Sequence, residues 1–361
     1  MLRTLGKTLS VVLRWALLTL NALCILALWA CVACQFVPPQ ACPSLSLLGL
    51  VFPLCAAATA LFIPLWLLVR RRWTWVPVAG LLACAASLRT FCPLNIPRTA
   101  PEGSIKVLTF NLYNLPHTSA EPLCEHPALR YISESGADIV CCQEAPGLAT
   151  DARADSLLAT VYPYRSYPAS RTASFALLSK FPILSEEQID YESQSNGSFA
   201  YRLLVGGDTL LLLNNHFESY RLGSDDREEY KELILHPQET DVELSLRSLA
   251  AKVKSANSVR GPQADSVAAY IERARETNII LCGDFNDPTI SYTHHRLTRR
   301  LNDAYTRSGN GPGISYHLSG MYFRIDNILY SPGMKAYGAA VDRSIHASDH
   351  YPLSCSISLA P

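Results

Sequence analysis

The chain has 361 residues, 49% of them hydrophobic, and its 31 basic and 31 acidic residues balance to zero. The balance hides a split: residues 1–100 contain no Asp or Glu and eight Lys or Arg, so residues 101–361 carry a net −8. That hydrophobic fraction is high for a wholly soluble protein, and a segment at −8 lacks the broad basic footprint of nucleic-acid binding modules.

Three apolar runs come first, over residues 11–34, 46–69 and 73–90. A membrane-crossing helix needs about 20 apolar residues. The first two runs qualify and the third is marginal, so three spans are expected, with two as the alternative. Lys and Arg stay on the cytoplasmic side. Arg3, Lys7 and Arg14 precede or open the first run, residues 38–44 are uncharged, and Arg70, Arg71 and Arg72 follow the second. The N-terminus and the triple arginine are thus expected inside and the first loop outside. Three spans put the rest of the chain outside the cytoplasm; two put it inside. Trp66, Trp73 and Trp75 flank the triple arginine, where interfacial aromatics belong. A cleaved signal peptide shares the basic start and apolar centre of the first run, and that alternative leaves the side of the later domain unchanged.

Seven of the 12 cysteines fall in this first part, where Cys acts as a small apolar residue. Cys124, Cys141, Cys142, Cys282 and Cys355 are odd in number and scattered, so no disulfide framework, no disulfide-linked partner and no zinc site is expected.

Residues 92–104, CPLNIPRTAPEGS, hold three prolines and a glycine and read as a linker. A single domain over 105–361 follows. Strands are expected over 105–110, 138–143, 174–179, 199–205, 209–214, 278–282, 324–330 and 353–359. Helices are expected over 127–135, 242–255, 264–276 and 294–301. Some strands follow one another directly and others are separated by helices, which points to an α+β domain of antiparallel-rich sheets covered by helices.

Polar side chains recur where these strands end. VLTF runs into Asn111, DIVCCQ into Glu144, LLLLNN into His216, and NIILCG into Asp284 and Asn286; RIDNILY carries Asp326, and Asp349-His350 precedes the last strand. Each has an ordinary reading: turn residues at Asn111, Asp284 and Asn286, a solvated carboxylate at Glu144, a hydrogen-bonded core histidine at His216. Asp326, between Ile325 and Ile328, is harder to explain without a buried partner such as an imidazole. His294 and His295 are expected at the surface or a loop edge, and Arg171 in an ordinary salt bridge. Arg296, Arg299 and Arg300 form a local basic patch.

In their order, TFNLYN, the QEA after DIVCC, NNHFES, GDFND, RIDNILY and SDHYPL resemble the successive signatures of the endonuclease/exonuclease/phosphatase superfamily, the fold of deoxyribonuclease I, over residues 105–358. The resemblance implies a four-layer αββα sandwich of two mixed, mostly antiparallel sheets behind a transmembrane helical region. It implies a phosphoric ester hydrolase using Mg²⁺, or Mn²⁺, held by Asn111 and Glu144 with Asp349 adding a contact. Asp284 would orient or deprotonate the attacking water, and Asn286 would donate to the phosphoryl group. Asp326 would hold His350, and His216 would contact phosphate or protonate the leaving oxygen. A multi-span anchor before this domain resembles an arrangement of bacterial inner-membrane members. The implied substrate is a phosphate ester: nucleic acid, nucleotide or phospholipid headgroup, met at the lipid bilayer. The alternative is an inactive membrane scaffold or receptor on the same fold.

Overall fold

The computed structural model describes residues 2–115, 122–168, 173–193, 196–221, 223–235, 242–318 and 321–360. Four helices open the chain: α1 (Leu2–Ala33), α2 (Leu48–Arg70), α3 (Trp75–Leu82) and α4 (Ala85–Phe91). Helical segments Val11–Phe36 and Leu45–Trp73 are long and apolar enough to cross a membrane. The third apolar run is a pair of short helices rather than one.

These helices form an antiparallel hairpin with a returning arm. Trp66 on α2 donates to Asn21 on α1 at 3.0 Å. Trp29 donates to Gly80 O on α3 at 3.2 Å, and Gln35 to Ser87 on α4 at 3.0 Å. Phe91 meets Phe52 edge-on at 5.8 Å. The arm thus returns from the end bearing the three arginines to the end bearing residues 34–47.

Next come β1 (Ile105–Asn111), α5 (Pro127–Glu134), β2 (Ile139–Gln143), α6 (Ala152–Ala159), β3 (Tyr164–Ser166), β4 (Phe175–Ser179), β5 (Ile183–Gln188), β6 (Gly197–Val205) and β7 (Asp208–His216). They are followed by α7 (Ser224–Leu235), α8 (Val242–Arg273), β8 (Asn278–Asp284), α9 (Tyr292–Thr298), β9 (Asn302–Asp303), α10 (Ala304–Ser308), β10 (Asp326–Tyr330), β11 (Lys335–Val341) and β12 (Leu353–Ser358). Two six-stranded sheets result, ordered β11-β12-β1-β2-β4-β3 and β5-β6-β7-β8-β10-β9.

Alternation along each strand builds the layers, because successive side chains face opposite sides. Val107, Cys141, Leu177, Leu212, Cys282 and Ile328 point between the sheets. Leu108, Val140 and Leu178 point outward onto α5 and α6, through Leu129, Ile132 and Leu158. Leu211, Leu213 and Leu281 face Val267, Ile271 and Leu297 of α8 and α9. The result is the four-layer αββα order.

Four strands lacked a sequence signal for physical reasons. β3 and β9 are three and two residues long. β5, ILSEEQ, is mostly exposed, and β11 shifts register between Tyr337 and Ala340 beside Gly338. The expected helices over 242–255 and 264–276 are one helix, α8, despite Pro262 inside it. Side chains at that point are tied down: Gln263 accepts from Glu218 N at 2.8 Å and donates to Glu192 O at 3.0 Å.

Residues 92–104 have no regular structure, but they are not a loose tether. Asn95 donates to Thr306 O at 3.2 Å and Gly309 O at 2.6 Å, and its N–H donates to Asn310 at 2.6 Å.

Candidate active site

Strand direction gathers the polar residues. β1 and β2 are parallel, as are β7 and β8, so Asn111, the residue after Gln143, His216 and Asp284 all lie at one end of the sandwich. β10 runs antiparallel to β8 and begins at Asp326, opposite Asp284. β12 runs antiparallel to β1, which brings its preceding residues Asp349 and His350 to the same end. Asp326 therefore opens its strand rather than lying inside it. At Gly283, φ is +131°, and a Cβ there would sit 1.9 Å from Asn215 O. Only glycine lets β8 run this close to β7 and deliver Asp284 beside His216.

The side chains then meet. Asn111 Nδ2 donates to Asp284 Oδ2 at 3.0 Å and to Glu144 Oε1 at 3.3 Å. His216 Nε2 stands 3.6 Å from both Glu144 Oε1 and Asp284 Oδ2. His350 Nδ1 lies 2.7 Å from Asp326 Oδ2, and its Nε2 3.7 Å from Asp284 Oδ2. Asn111, Asp284 and Asp326 are each 1% exposed and both histidines 4%, whereas the Glu144 side chain keeps 23%. This cluster is closed at its base and open toward Glu144. Glu144 and Asn286 adopt φ of 52° and 50°, a backbone region that non-glycine residues enter at a cost and that concentrates at functional sites.

Burial pushes the Asp284 carboxyl up to about 6; the neighbouring His350 pulls it down and Asp326 pushes it up. Burial also disfavours the His350 imidazolium, but Asp326 and then Asp284 outweigh it and raise the ring to about 10. The pair thus holds one charged ring against two carboxyls, a compact acid and base set.

The donors fit a hard divalent cation. Asp326 Oδ1 and His216 Nε2 are buried with no hydrogen-bond partner. Asp284, Asp326 and, once its ring has lost the proton, His350 offer ligand atoms within 4.8 Å of one another. This trio differs from the Asn111, Glu144 and Asp349 set implied by the resemblance, but the two are contiguous through the Asn111–Asp284 and Glu144–His216 contacts. Asp349 is 8% exposed; its carboxylate accepts from Ser348 Oγ at 3.4 Å and its carbonyl from His317 N at 3.2 Å. Carboxylate and amide oxygens are the ligands that Mg²⁺ and Mn²⁺ take.

Asn286 is oriented by its neighbours: its N–H donates to Asp284 Oδ1 at 2.7 Å and one side-chain N–H to Phe217 O at 2.9 Å. Its second side-chain N–H keeps the capacity to meet a phosphoryl oxygen.

Several supporting residues escaped the sequence analysis. Ser348 donates to Asn111 O at 2.7 Å and accepts from His350 N at 3.1 Å. Gln143 reaches across the sheets to Asn214 at 2.7 Å. Arg260 of α8, fully buried, donates to Glu218 O at 2.9 and 2.7 Å and to Asn257 at 2.8 Å, and pairs with Asp287 at 3.1 Å. It joins the loop after His216 to the loop after Asp284. A buried acid in GDFND, Asp287, was the available signal, since a buried carboxylate needs a cation.

Other expectations change. His294 is buried rather than at the surface, 3.2 Å from Asp303, which also takes Arg324 at 3.0 Å. Together these form a buried polar cluster under α9. His295 meets Phe36 of the helical hairpin edge-on at 4.7 Å. In the basic patch, Arg296 pairs with Asp265 and Glu272, and Arg300 approaches Glu272 at 3.7 Å. Arg171 lies outside the described residues.

The first 100 residues touch the segments that flank this site. Cys34 Sγ contacts Ile290 O at 3.5 Å, Asn257 of α8 donates to Ser46 at 2.8 Å, and Arg324 donates to Thr90 O at 2.9 Å.

Residues 108–350 match the model of the Endonuclease/Exonuclease/phosphatase family, and residues 14–91 match that of a domain of unknown function. No curated protein matches the chain. Among solved structures, truncated TDP2 of Caenorhabditis elegans superposes with a TM-score of 0.50 at 17% identity, covering 70% of this chain and 97% of that one. The human Nocturnin catalytic domain, solved with a bound sulfate anion, gives 0.51 at 15% identity, covering 73% and 97%. An endonuclease/exonuclease/phosphatase family protein from Leptotrichia buccalis gives 0.50 at 15%, covering 70% and 99%. These likenesses share the fold of residues that carry the strand-end cluster, and with the family match spanning residues 108–350 the chain belongs to the endonuclease/exonuclease/phosphatase family.

Proposed function

We propose that this chain is a membrane-anchored, divalent-metal-dependent phosphoesterase that cleaves a phosphate ester by attack of water, with its catalytic domain outside the cytoplasm. The observation that carries this reading is the His350–Asp326 pair at 2.7 Å beside the buried Asp284, whose carboxyl is pushed up to about 6 by burial. A divalent cation held by Asn111 and Glu144, with Asp349 near it, would neutralise phosphoryl oxygens.

The chain's own groups supply the rest. Asp284, once ionised, orients water and accepts its proton, with Asn111 and Asn286 N–H holding its carboxylate. Charged His350, held by Asp326, and the spare N–H of Asn286 stabilise the negative charge that develops on phosphate. His216, between Glu144 and Asp284, delivers a proton to the leaving oxygen.

The membrane part of the reading rests on the two apolar helices and on charge. The triple arginine lies at one end of the hairpin, while residues 34–47 and the family domain meet at the other. With arginines inside, the domain is outside. Pairing of Arg296 and Arg300 with acids of α8 leaves little local charge for a polyanionic backbone, which favours a lipid headgroup or small ester over nucleic acid.

The test uses the full chain in detergent, because the hairpin contacts the domain. Sphingomyelin vesicles and plasmid DNA are offered in parallel with Mg²⁺ or EDTA, with His350→Ala as control. Expected is cleavage of lipid that needs metal and falls by about 10²- to 10⁴-fold in the variant. Nicking of plasmid alone reassigns the substrate; no metal-dependent turnover of either, nor of a chromogenic phosphodiester, overturns the enzyme reading in favour of a scaffold.

A further inference from the structure

The end of the hairpin remote from the active site holds a second concentration of chemistry. Arg14, Arg70, Arg72, Trp15 and Trp73 line one concavity of about 210 Å³, together with Val11 and Leu18. It lies in the crevice between α1 and the end of α2. Arg72 also stands over the Trp73 ring at 5.6 Å.

Arg70 and Arg72 bring two like charges to one small concavity, which favours an anion there. Residues 1–100 contain no Asp or Glu, and the acidic domain packs at the opposite end of the hairpin. The first 100 residues therefore offer no carboxylate to Arg70 or Arg72. Arginine presents a fork of N–H donors that matches phosphate oxygens. Trp15 and Trp73 mark the depth as the headgroup layer, where indole rings settle, and Val11 and Leu18 supply an apolar floor suited to acyl chains.

We infer that this crevice binds the phosphate of an anionic phospholipid in the inner leaflet. The inference rests on the membrane-anchored reading proposed above. It differs from any substrate role, because the crevice and the strand-end cluster face opposite sides of the membrane.

All five tryptophans of the chain, Trp15, Trp29, Trp66, Trp73 and Trp75, lie in the first 100 residues, so tryptophan fluorescence, excited selectively over tyrosine, reports on this part alone. The full chain is reconstituted in phosphatidylcholine nanodiscs with brominated phosphatidylglycerol or brominated phosphatidylcholine at equal bromine content, and quenching is titrated. Stronger quenching by phosphatidylglycerol is expected. In the Arg70→Gln, Arg72→Gln double variant the preference is expected to fall by about 30-fold in relative affinity, from about a factor of five per charge. The thermal midpoint of the variant serves as its folding control.

Equal quenching by the two lipids in the unaltered chain overturns the site and leaves the membrane reading standing. An undiminished preference in the folded double variant also overturns it. Quenching by neither lipid overturns the membrane reading together with the site. Loss of the preference on adding inorganic phosphate makes a soluble anion the occupant and overturns the lipid assignment.

Discussion

A buried carboxylate in a strand is a request for a partner, and Asp326 finds His350. The pairing could be anticipated because desolvation makes an unpartnered Asp326 costly, whereas nothing local in the sequence says that Ser348 or Arg260 would brace the same loops. Their roles depend on which loops meet. One consequence is directly measurable. In the metal-free full chain, the His350 ring is expected to titrate at about 10, because Asp326 and Asp284 outweigh its burial. Asp326→Asn removes the leading favourable charge and leaves burial in place, so the titration is expected to move down toward or below the ordinary histidine value of about 6.5. NMR of the imidazole C–H resonances against pH in EDTA reads this, and an unmoved titration would show that the carboxylate does not govern the ring. A second outcome concerns Glu144. Its carboxylate is the most open of the cluster, so Glu144→Gln is expected to weaken Mn²⁺ binding by about 10-fold or more while leaving the fold intact. Isothermal titration of the metal and the thermal midpoint check the two halves.

Among the elements, α9 and the loop before it are where sequence and structure part most clearly. The residues of LCGDFNDP could be read as a turn that aims Asp284 and Asn286, and the backbone does this with Gly283. The contacts beyond that turn were not legible, because they come from a helical hairpin more than 200 residues away. Gly49 illustrates the fit: a Cβ there would stand 2.1 Å from Ile290 O. Gly49→Val is expected to push the hairpin off this loop, raising amide exchange over residues 284–290 and lowering turnover. Hydrogen exchange of the full chain, read by mass spectrometry, checks it. Beneath α9, Asp303 is buried; burial works against its charge, but Arg324 and His294 hold its carboxyl well below the usual range. A depressed folded-state value means a stabilising contribution present above the unfolded value of about 4 and lost as the pH falls through the folded one. Asp303→Asn, which strands Arg324, is therefore expected to destabilise the chain by about 3–5 kcal/mol at pH 7, with the gap to the unaltered chain narrowing below about pH 4. Thermal midpoints of the two chains across that range decide it.

For the whole molecule, the strands that carry an apolar run were readable as strands, whereas the four short, exposed or bulged ones were not, because they lack that run. The direction of the third apolar run was not readable either, because α3 and α4 are too short individually to be recognised as a crossing. The packed hairpin bears on that question through two native cysteines. Cys42, between the first two apolar helices, and Cys92, just after α4, are both exposed. If α3 and α4 together cross, Cys42 and Cys92 lie on one side, with the arginines at 70 to 72 on the other; if they do not, Cys92 stays with the arginines. The contacts of Cys34 with Ile290 and of Asn257 with Ser46 require the domain to share a side with residues 34–47. A membrane-impermeant maleimide applied to intact cells is thus expected to label both cysteines, read by peptide mass. Labelling of Cys42 without Cys92 would put the domain in the cytoplasm, and it would be incompatible with the docking of the hairpin onto the loop after Asp284. The reagent thus tests the packing and the topology together, because the domain cannot both touch residues 34–47 and lie across the bilayer from them.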